Sequence, residues 1–166
     1  GGADGVEAPA PVITRDGLLG VVLDVQEHTS VGIDWTHPDF RASAVTVDGA
    51  TPGMVESRRG DFREDDRLVM DGTPFQTALE PGTVVMTSGL GGVYPRGIRL
   101  GRVVAVAEAD AGWRKSYWLE AFALPGSVAN VLVSVADSVA AAPGELDEAW
   151  PPDSVTTPRE RIGGGG

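Results

Sequence analysis

The sequence predicts an all-β protein, built either as a sandwich or as a small barrel. Eight segments are rich in β-branched and aromatic residues, which is the composition typical of strands. Turn dipeptides such as Asp48-Gly49 and Pro81-Gly82 separate them at close intervals, so only short strands fit between the turns. No window carries a persistent apolar stripe with the 3.6-residue period of a surface helix. Together these observations favour closed or packed β layers.

Each predicted strand is bounded by turn signals. The first strand follows Asp16-Gly17, and the second, Val31-Gly32-Ile33-Asp34-Trp35, alternates apolar and polar positions as a half-buried strand does. Ala44-Val45-Thr46-Val47-Asp48 alternates in the same way, and a valine-rich run follows Pro95-Arg96-Gly97. In order, the predicted strands are Leu19–Val25, Val31–Trp35, Ala42–Val47, Arg67–Met70, Val84–Met86, Ile98–Ala107, Tyr117–Ala123 and Val128–Val135.

The last of these segments is open to two interpretations. Ser127 to Ala142 is alanine-rich toward its end, so a helix is the alternative to the strand that we assign to Asn130–Val135. The apolar tract from Val128 to Ala142 is the longest in the chain, yet it is shorter than the roughly 20 residues that a membrane-spanning helix needs.

Both ends of the chain have the composition of segments that do not pack. From Ala140 to Gly166 the apolar residues are too scattered to offset the entropy of ordering, so residues 137–166 are predicted to form a disordered, acidic tail rich in Pro and Gly. The first residues, about ten in number, contain Pro9 and Pro11 and are expected to be loosely held. The chain starts without Met or a basic leader, which is typical of an internal fragment or a mature form.

Composition limits the classes of partner. Lys and Arg number 13 against 24 Asp and Glu, which gives a net charge of −11. Such a surface repels phosphate backbones and anionic lipids, so nucleic acid is not expected as a partner. The chain contains no cysteine, which excludes disulfides, thiolate metal sites and a cysteine nucleophile.

Two serine-based triads follow a chain order that is known from proteases. They are His28, Asp34 and Ser88, or His37, Asp39 and Ser88. A triad needs a histidine within hydrogen-bond reach of the serine and a carboxylate that orients the imidazole. Both histidines lie in turn-like contexts, where exposed polar residues are expected in any case. We therefore regard surface histidines and a turn serine as the better interpretation.

Phosphate and metal sites have less support. Gly89-Leu90-Gly91-Gly92 lacks the third glycine that opens a helix in a dinucleotide fingerprint, and Pro95 and Gly97 block a helix there. The two histidines match no ligand spacing, and the run Glu64-Asp65-Asp66 lacks the glycine and the distal glutamate of a calcium loop. No cofactor is predicted.

The glycine-rich stretch is best explained as a sharp corner of the fold. Gly91 and Gly92 allow positive φ, Pro95 and Gly97 form the next turn, and Gly101 lets the following strand bend. Glycines at a barrel corner need no ligand to explain them.

The same stretch resembles the signature of MreC, the bacterial rod shape-determining family. The segment reads EPGTVVMTSGLGGVYPRGIRLGRVVAV. Two further segments resemble the family at the same spacing, DGVEAPAPVITRDGLLGVVLDV and SVGIDWTHPDFRASAVTV. The resemblance covers about Asp4 to Val135. It marks a signature turn of nine residues: Thr87, Ser88, Gly89, Leu90, Tyr94, Pro95, Gly97, Gly101 and Val103.

This resemblance implies an architecture of two small, six-stranded-type β-barrels, the second of them trypsin-like but without a catalytic triad. The chain would divide into an entry segment (residues 1–15), an MreC-like barrel (16–108), the remaining strands of the membrane-proximal barrel (109–136) and the tail (137–166). Tyr117 to Val135 would then lack pairing strands, and we expect it to be less protected from hydrogen exchange than residues 17–107.

The resemblance also implies a non-enzymatic scaffold of the cell-wall elongation machinery that maintains rod shape. It would lie on the periplasmic face of the bacterial inner membrane, held by an anchor helix that this chain does not contain. The implied partners are the protein itself, as a homodimer or filament, a penicillin-binding transpeptidase, and MreB- and MreD-type membrane partners. No small-molecule substrate is implied.

Candidate contact residues are the aromatics Tyr94, Trp113, Trp118 and Phe122, since interface cores favour such side chains, although ordinary core packing is the favoured explanation for each. An exposed strand edge is a further candidate for self-association. Two other function classes remain open from the sequence: a trypsin-like serine hydrolase that uses Ser88 with His28 or His37, and a β-barrel module that binds a small ligand.

Overall fold

The computed structural model describes residues 1–60, 66–110 and 114–135. These ranges contain ten strands and two short 3-10 helices, at Gly2–Asp4 and Pro125–Ser127. The strands are β1 (Ala10–Ile13), β2 (Leu18–Val25), β3 (Ser30–Asp34), β4 (Arg41–Thr46), β5 (Pro52–Arg58), β6 (Arg67–Pro74), β7 (Val84–Thr87), β8 (Arg99–Asp110), β9 (Arg114–Ala121) and β10 (Leu132–Val133). The predicted all-β fold is confirmed.

Six of the strands close into a barrel in the order β4-β5-β6-β9-β8-β7, and all of its neighbouring strands are antiparallel. Alternation along the strands places Leu68, Met70, Tyr117 and Leu119 in the interior, where each is almost completely buried. The pairing of β8 with β9 is irregular at two places, between Val103 and Ala105 and between Val106 and Glu108. Such bulges increase the local twist that a small barrel needs to close.

The other four strands form an open antiparallel sheet in the order β10-β1-β2-β3. Its core face contributes Ile13, Leu18 and Val21 to the same apolar cluster that fills the barrel. The sheet and the barrel therefore share one continuous core.

Two contacts fix this junction. The indole Nε1 of Trp35, which follows β3, donates a hydrogen bond of 2.6 Å to the carbonyl of Ala123, which follows β9. Gly17, in the β1–β2 turn, lies so close to β8 that a Cβ atom there would come within 2.4 Å of the Arg99 carbonyl oxygen. Only glycine fits such a close backbone approach.

Two strands were missed from the sequence, and one was predicted too long. Ala10–Ile13 and Pro52–Arg58 are strands although each contains a proline. Pro52 is the first residue of its strand, a position where proline is tolerated. The predicted strand Val128–Val135 is reduced to Leu132–Val133, and the alternative helix is not formed there within the described residues.

The N-terminus is better held than expected. The N–H groups of Gly2 and Ala3 donate to the carbonyls of Gln26 and Glu27 at 2.8 and 3.0 Å, and β1 pairs with both β2 and β10. The prediction of a loosely held N-terminus was therefore wrong, because backbone pairing fixes this segment whatever its proline content.

Strand pairing also differs from the predicted division of the chain. Arg114–Ala121 was expected to belong to the other barrel, but it lies inside the closed barrel between β6 and β8. Conversely, β2 and β3 fall within the predicted range 16–108 and yet belong to the open sheet. The closed barrel therefore spans Arg41 to Ala121, and the premise that Tyr117–Ala121 lacks pairing strands was wrong. The predicted tail, residues 137–166, lies outside the described residues, which end at Val135.

Candidate interaction surfaces

We call Thr87–Val103 the signature segment. It begins with a threonine whose hydrogen bonds close the loop that follows it in the chain. The Thr87 hydroxyl donates to the carbonyl of Pro95 at 2.5 Å and accepts from the N–H of Ile98 at 2.9 Å. Its backbone N–H donates to the Ile98 carbonyl at 2.9 Å, and its carbonyl accepts from the N–H of Gly97 at 3.0 Å. Four hydrogen bonds on one buried residue therefore fix both ends of the intervening loop, residues 88–96, which we call the signature loop.

The glycines of this segment have two different structural roles. Gly89, Gly91, Gly92 and Gly97 all adopt positive φ, between 72° and 99°, a region that other residues rarely enter. Gly101 instead lies in β8, where a Cβ atom would come within 2.4 Å of the Glu120 carbonyl oxygen on β9. The first group shapes the turn, and Gly101 allows two strands of the barrel to pair closely.

Tyr94 points into the core and not into solvent. Its side chain is 6% exposed, and its ring lies 6.3 Å from that of Phe40. Burial disfavours the phenolate and raises the pKa of Tyr94 to about 12. This residue is a core element of the barrel end, so it does not belong to a free contact surface.

The other aromatic candidates are only half-buried. The guanidinium carbon of Arg58 lies 5.9 Å from the Trp118 ring centroid, and that of Arg99 lies 5.9 Å from the Phe122 ring centroid. Both arginines therefore cover part of an aromatic face. Trp113 lies outside the described residues.

Ser88 and the two histidines are engaged locally. The Ser88 hydroxyl accepts a hydrogen bond of 3.2 Å from the N–H of Leu90. His37 Nδ1 accepts one of 3.2 Å from the N–H of Asp39, and His28 Nε2 lies 3.7 Å from a carboxylate oxygen of Glu27. Within the described residues, no hydrogen bond joins Ser88 to either imidazole.

The acidic run Glu64-Asp65-Asp66 is described only in part. Glu64 and Asp65 lie outside the described residues, and Asp66 accepts a hydrogen bond from the N–H of Gly60 at 3.2 Å. In the described ranges, no group of three or more metal-binding side chains is brought together. In the same ranges, no helix is long and apolar enough to cross a membrane.

Most cations on the barrel wall that the structure describes have acidic or aromatic neighbours. Arg41 pairs with Glu56 across β4 and β5, and the Arg102 guanidinium lies 2.6 Å from a carboxylate oxygen of Glu120. Arg58 lies 3.3 Å from Glu108 in addition to covering Trp118. Such exposed pairs stabilise the fold only slightly, but they leave few cations available to a partner.

Several large apolar side chains are exposed, including those of two regions, the signature loop with the end of β4 and the β2–β3 hairpin. Leu90, at the tip of the signature loop, is 68% exposed, and Val47, at the end of β4, is 60% exposed. On the open sheet, Val31 and Leu23 are exposed beside each other on the β2–β3 hairpin. Exposed apolar groups of this kind are candidate contact points.

Of the two edge strands of the open sheet, β3 has five residues and β10 has two. Every strand of the closed barrel has two neighbours. Trp35 points its N–H toward β2, at 2.8 Å from the Leu19 carbonyl, so alternation along the strand directs the N–H of Gly32 away from the sheet. Sequence patterns do not reveal which strand ends a sheet, because that depends on pairing between distant segments.

Comparisons with a family model, with a related protein and with solved structures agree with one another. A family model described as "Rod shape-determining protein MreC, barrel core" matches residues 1–135. The cell shape-determining protein MreC of Haemophilus influenzae is 29% identical over 116 residues, which is 68% of this chain and 31% of that protein. The chain thus spans about a third of the length of this curated relative.

Two solved structures share the fold. The MreC in a complex between penicillin-binding protein PBP2 and MreC from Helicobacter pylori is 21% identical, with a TM-score of 0.61 over 74% of each chain. A structure described as the major periplasmic domain from the cell shape-determining filament MreC is 22% identical, with a TM-score of 0.62 over 79% of this chain and 80% of the other.

Proposed function

The chain belongs to the MreC family of rod shape-determining proteins, and we propose that it acts as a non-enzymatic scaffold of the cell-wall elongation machinery in the bacterial periplasm. The observation that carries the proposal is the family match over residues 1–135. The geometry supports it, since a barrel and a sheet on one continuous core can hold separate contact surfaces in a fixed relation. Anchoring to the inner membrane, and contacts with MreB- and MreD-type partners, belong to the same proposal.

One proposed partner is a penicillin-binding transpeptidase. The support is a solved complex in which an MreC of the same fold is bound to PBP2. Biolayer interferometry of the immobilised chain against the periplasmic part of the transpeptidase from the same bacterium would test this. We expect saturable binding that a folded, unrelated periplasmic protein does not show. Absence of binding by correctly folded protein would contradict the proposal.

A second proposed partner is another copy of the protein, with β3 as the contact edge. A free edge strand offers unpaired backbone groups, and charged residues at such edges oppose pairing. Val31→Lys should therefore lower the association constant. Val47→Lys is the matched control, because Val47 is similarly exposed but lies at the end of a barrel strand. Sedimentation velocity over a concentration series measures both variants, and equal weakening of association in the two would remove β3 from the proposal.

The absence of catalysis is also part of the proposal. Ser88 accepts a hydrogen bond from Leu90, and neither histidine is bonded to it in the described part of the chain. We expect a fluorophosphonate probe to leave the protein unlabelled. Labelling that disappears in Ser88→Ala would establish a serine hydrolase instead.

A further inference from the structure

Leu90 is exposed although the loop that carries it is firmly closed. Thr87 ties the two ends of the signature loop together, and Tyr94 anchors its far side in the core. Left-handed glycines flank Leu90 on both sides, at φ +83° and +89°. The loop thus holds an apolar side chain in solvent by its backbone conformation, and packing does not require that arrangement.

The two residues that follow Leu90 offer hydrogen-bond donors. In the part of the chain that the structure describes, the backbone N–H groups of Gly91 and Gly92 donate to no protein acceptor. Successive backbone N–H groups in a turn, when no protein acceptor takes them, can bind a carboxylate oxygen. The loop therefore combines an apolar contact with free donors.

Arg96 adds a positive charge at the same place. Its Cβ lies 3.1 Å from the position that a Cβ on Gly89 would take, and its Nη2 lies 3.5 Å from the corresponding position on Gly49. The side chain therefore reaches from the signature loop to the β4–β5 turn. Among the described residues it forms no ion pair, in contrast to Arg41, Arg58 and Arg102.

The nearby carboxylate does not neutralise this arginine. Asp48 lies in the turn that Arg96 reaches, but its Oδ1 accepts hydrogen bonds from the hydroxyl of Thr46 at 2.5 Å and from the N–H of Ala50 at 3.0 Å. These bonds lower the pKa of Asp48 and direct the group into its own turn. Arg96 therefore remains available to another anion, in a protein whose net charge is −11.

This combination fits a peptide that carries carboxylates next to apolar side chains. We propose that the signature loop binds the segment Glu145–Trp150 of the same chain, which reads Glu-Leu-Asp-Glu-Ala-Trp. Its carboxylates would accept from Arg96 and from the N–H groups of Gly91 and Gly92, and its leucine or tryptophan would pack on Leu90. The inference is independent of the scaffold role.

The proposed segment is joined to the described part of the chain by a short linker. Glu145 follows the last described residue, Val135, by ten residues, which can span up to about 33 Å when extended. One exposed ion pair contributes at most about 1 kcal/mol, so the contact is weak in isolation. A tethered segment has an effective concentration on the order of millimolar, so the contact is half populated when the ion pair, the amide hydrogen bonds and the apolar contact together contribute about 4 kcal/mol.

Amide chemical shifts in the full chain test the proposal. Replacing Glu145, Asp147 and Glu148 with Gln should move the amide resonances of Gly91 and Gly92. The matched control replaces Glu160 with Gln, which removes a tail carboxylate outside the proposed segment and should leave both resonances in place. If the triple variant leaves the two resonances unchanged, the proposal is overturned.

A change of charge at Arg96 tests the same contact from the loop side. Arg96→Glu should abolish the response of Gly91 and Gly92 to neutralisation of the segment, whereas Arg96→Lys, which keeps the positive charge, should retain part of it. Equal responses in the two folded variants count against pairing of the segment with Arg96. A free peptide of residues 143–152 should bind the triple variant more tightly than the unaltered chain, whose own tail competes. Equal affinity would overturn occupation of the loop by the chain's own tail.

Discussion

The closed barrel and the open sheet differ most in how their strands obtain partners. Every barrel strand has a neighbour on both sides, whereas β3 and β10 each have only one. Among the largest fully buried side chains, Leu18 alone belongs to the four-stranded sheet. Closure therefore concentrates the core in the barrel, and the sheet is buried mainly where it meets the barrel. We expect the barrel to set the stability of the chain and the sheet to provide its accessible edge.

Hydrogen exchange should show the largest contrast between the two regions. The amide of Leu119 lies in β9 between two paired strands, so it should exchange only on global unfolding. The amide of Gly32 points away from the sheet and should exchange at close to the unprotected rate, several orders of magnitude faster. Comparable protection of the two amides in dilute protein would break the comparison. Protection of Gly32 that appears only at high concentration would instead sharpen it, by indicating pairing at the β3 edge.

Truncation of one leucine in each region should give the next largest difference. Leu119 is 0% exposed inside the barrel, and Leu119→Ala should lower the free energy of unfolding by about 2–5 kcal/mol, because it leaves a cavity. Leu23 on the sheet is 54% exposed, and Leu23→Ala should change the free energy of unfolding by no more than about 0.5 kcal/mol. Urea unfolding measures both values, and a similar loss at the two sites would contradict a core centred on the barrel.

The same contrast explains what the sequence could and could not predict. Local signals were sufficient for the all-β class, for β2, β3 and β4, and for the turn after β7, because alternation and glycine placement are properties of neighbouring residues. Pro11 and Pro52 concealed two strands. Pairing of β1 with β10 begins at Val12 and pairing of β5 with β6 begins at Met54, so neither proline lies where its strand is paired on both sides.

Pairing between distant segments was the part that sequence reasoning could not supply. Arg114–Ala121 was assigned to the wrong unit because its neighbours, β6 and β8, are identified only by the register of the folded barrel. The exposed β3 edge has no sequence signal for the same reason, and neither has Arg96, which forms no ion pair with the residues that the structure describes. That the signature turn is purely architectural stays a prediction.

Substitution of Gly101 tests how closely β8 and β9 approach each other in the barrel. A Cβ there would lie 2.4 Å from the Glu120 carbonyl oxygen, and backbone cannot rotate away as a side chain could. Gly101→Ala should therefore lower the free energy of unfolding by about 3 kcal/mol through overpacking. The control is Gly126→Ala, because no heavy atom lies within 4 Å of the added carbon at that position. Thermal unfolding of both variants would reveal a loosely paired barrel if Gly101→Ala behaved like the control.

The smallest expected effect concerns the link between the two regions. Trp35→Phe keeps an aromatic ring at the junction but removes the donor to the Ala123 carbonyl, so a buried acceptor loses its partner. The free energy of unfolding should fall by about 1–2 kcal/mol. Trp118→Phe is the matched control, since its indole N–H donates to no residue that the structure describes, and its loss should be smaller. If the junction joins sheet and barrel into one cooperative unit, Trp35→Phe should also raise exchange in β1 and β2 more than in β6 and β9. A uniform rise across both regions would mean that Trp35 stabilises the whole fold and does not specifically hold the sheet to the barrel.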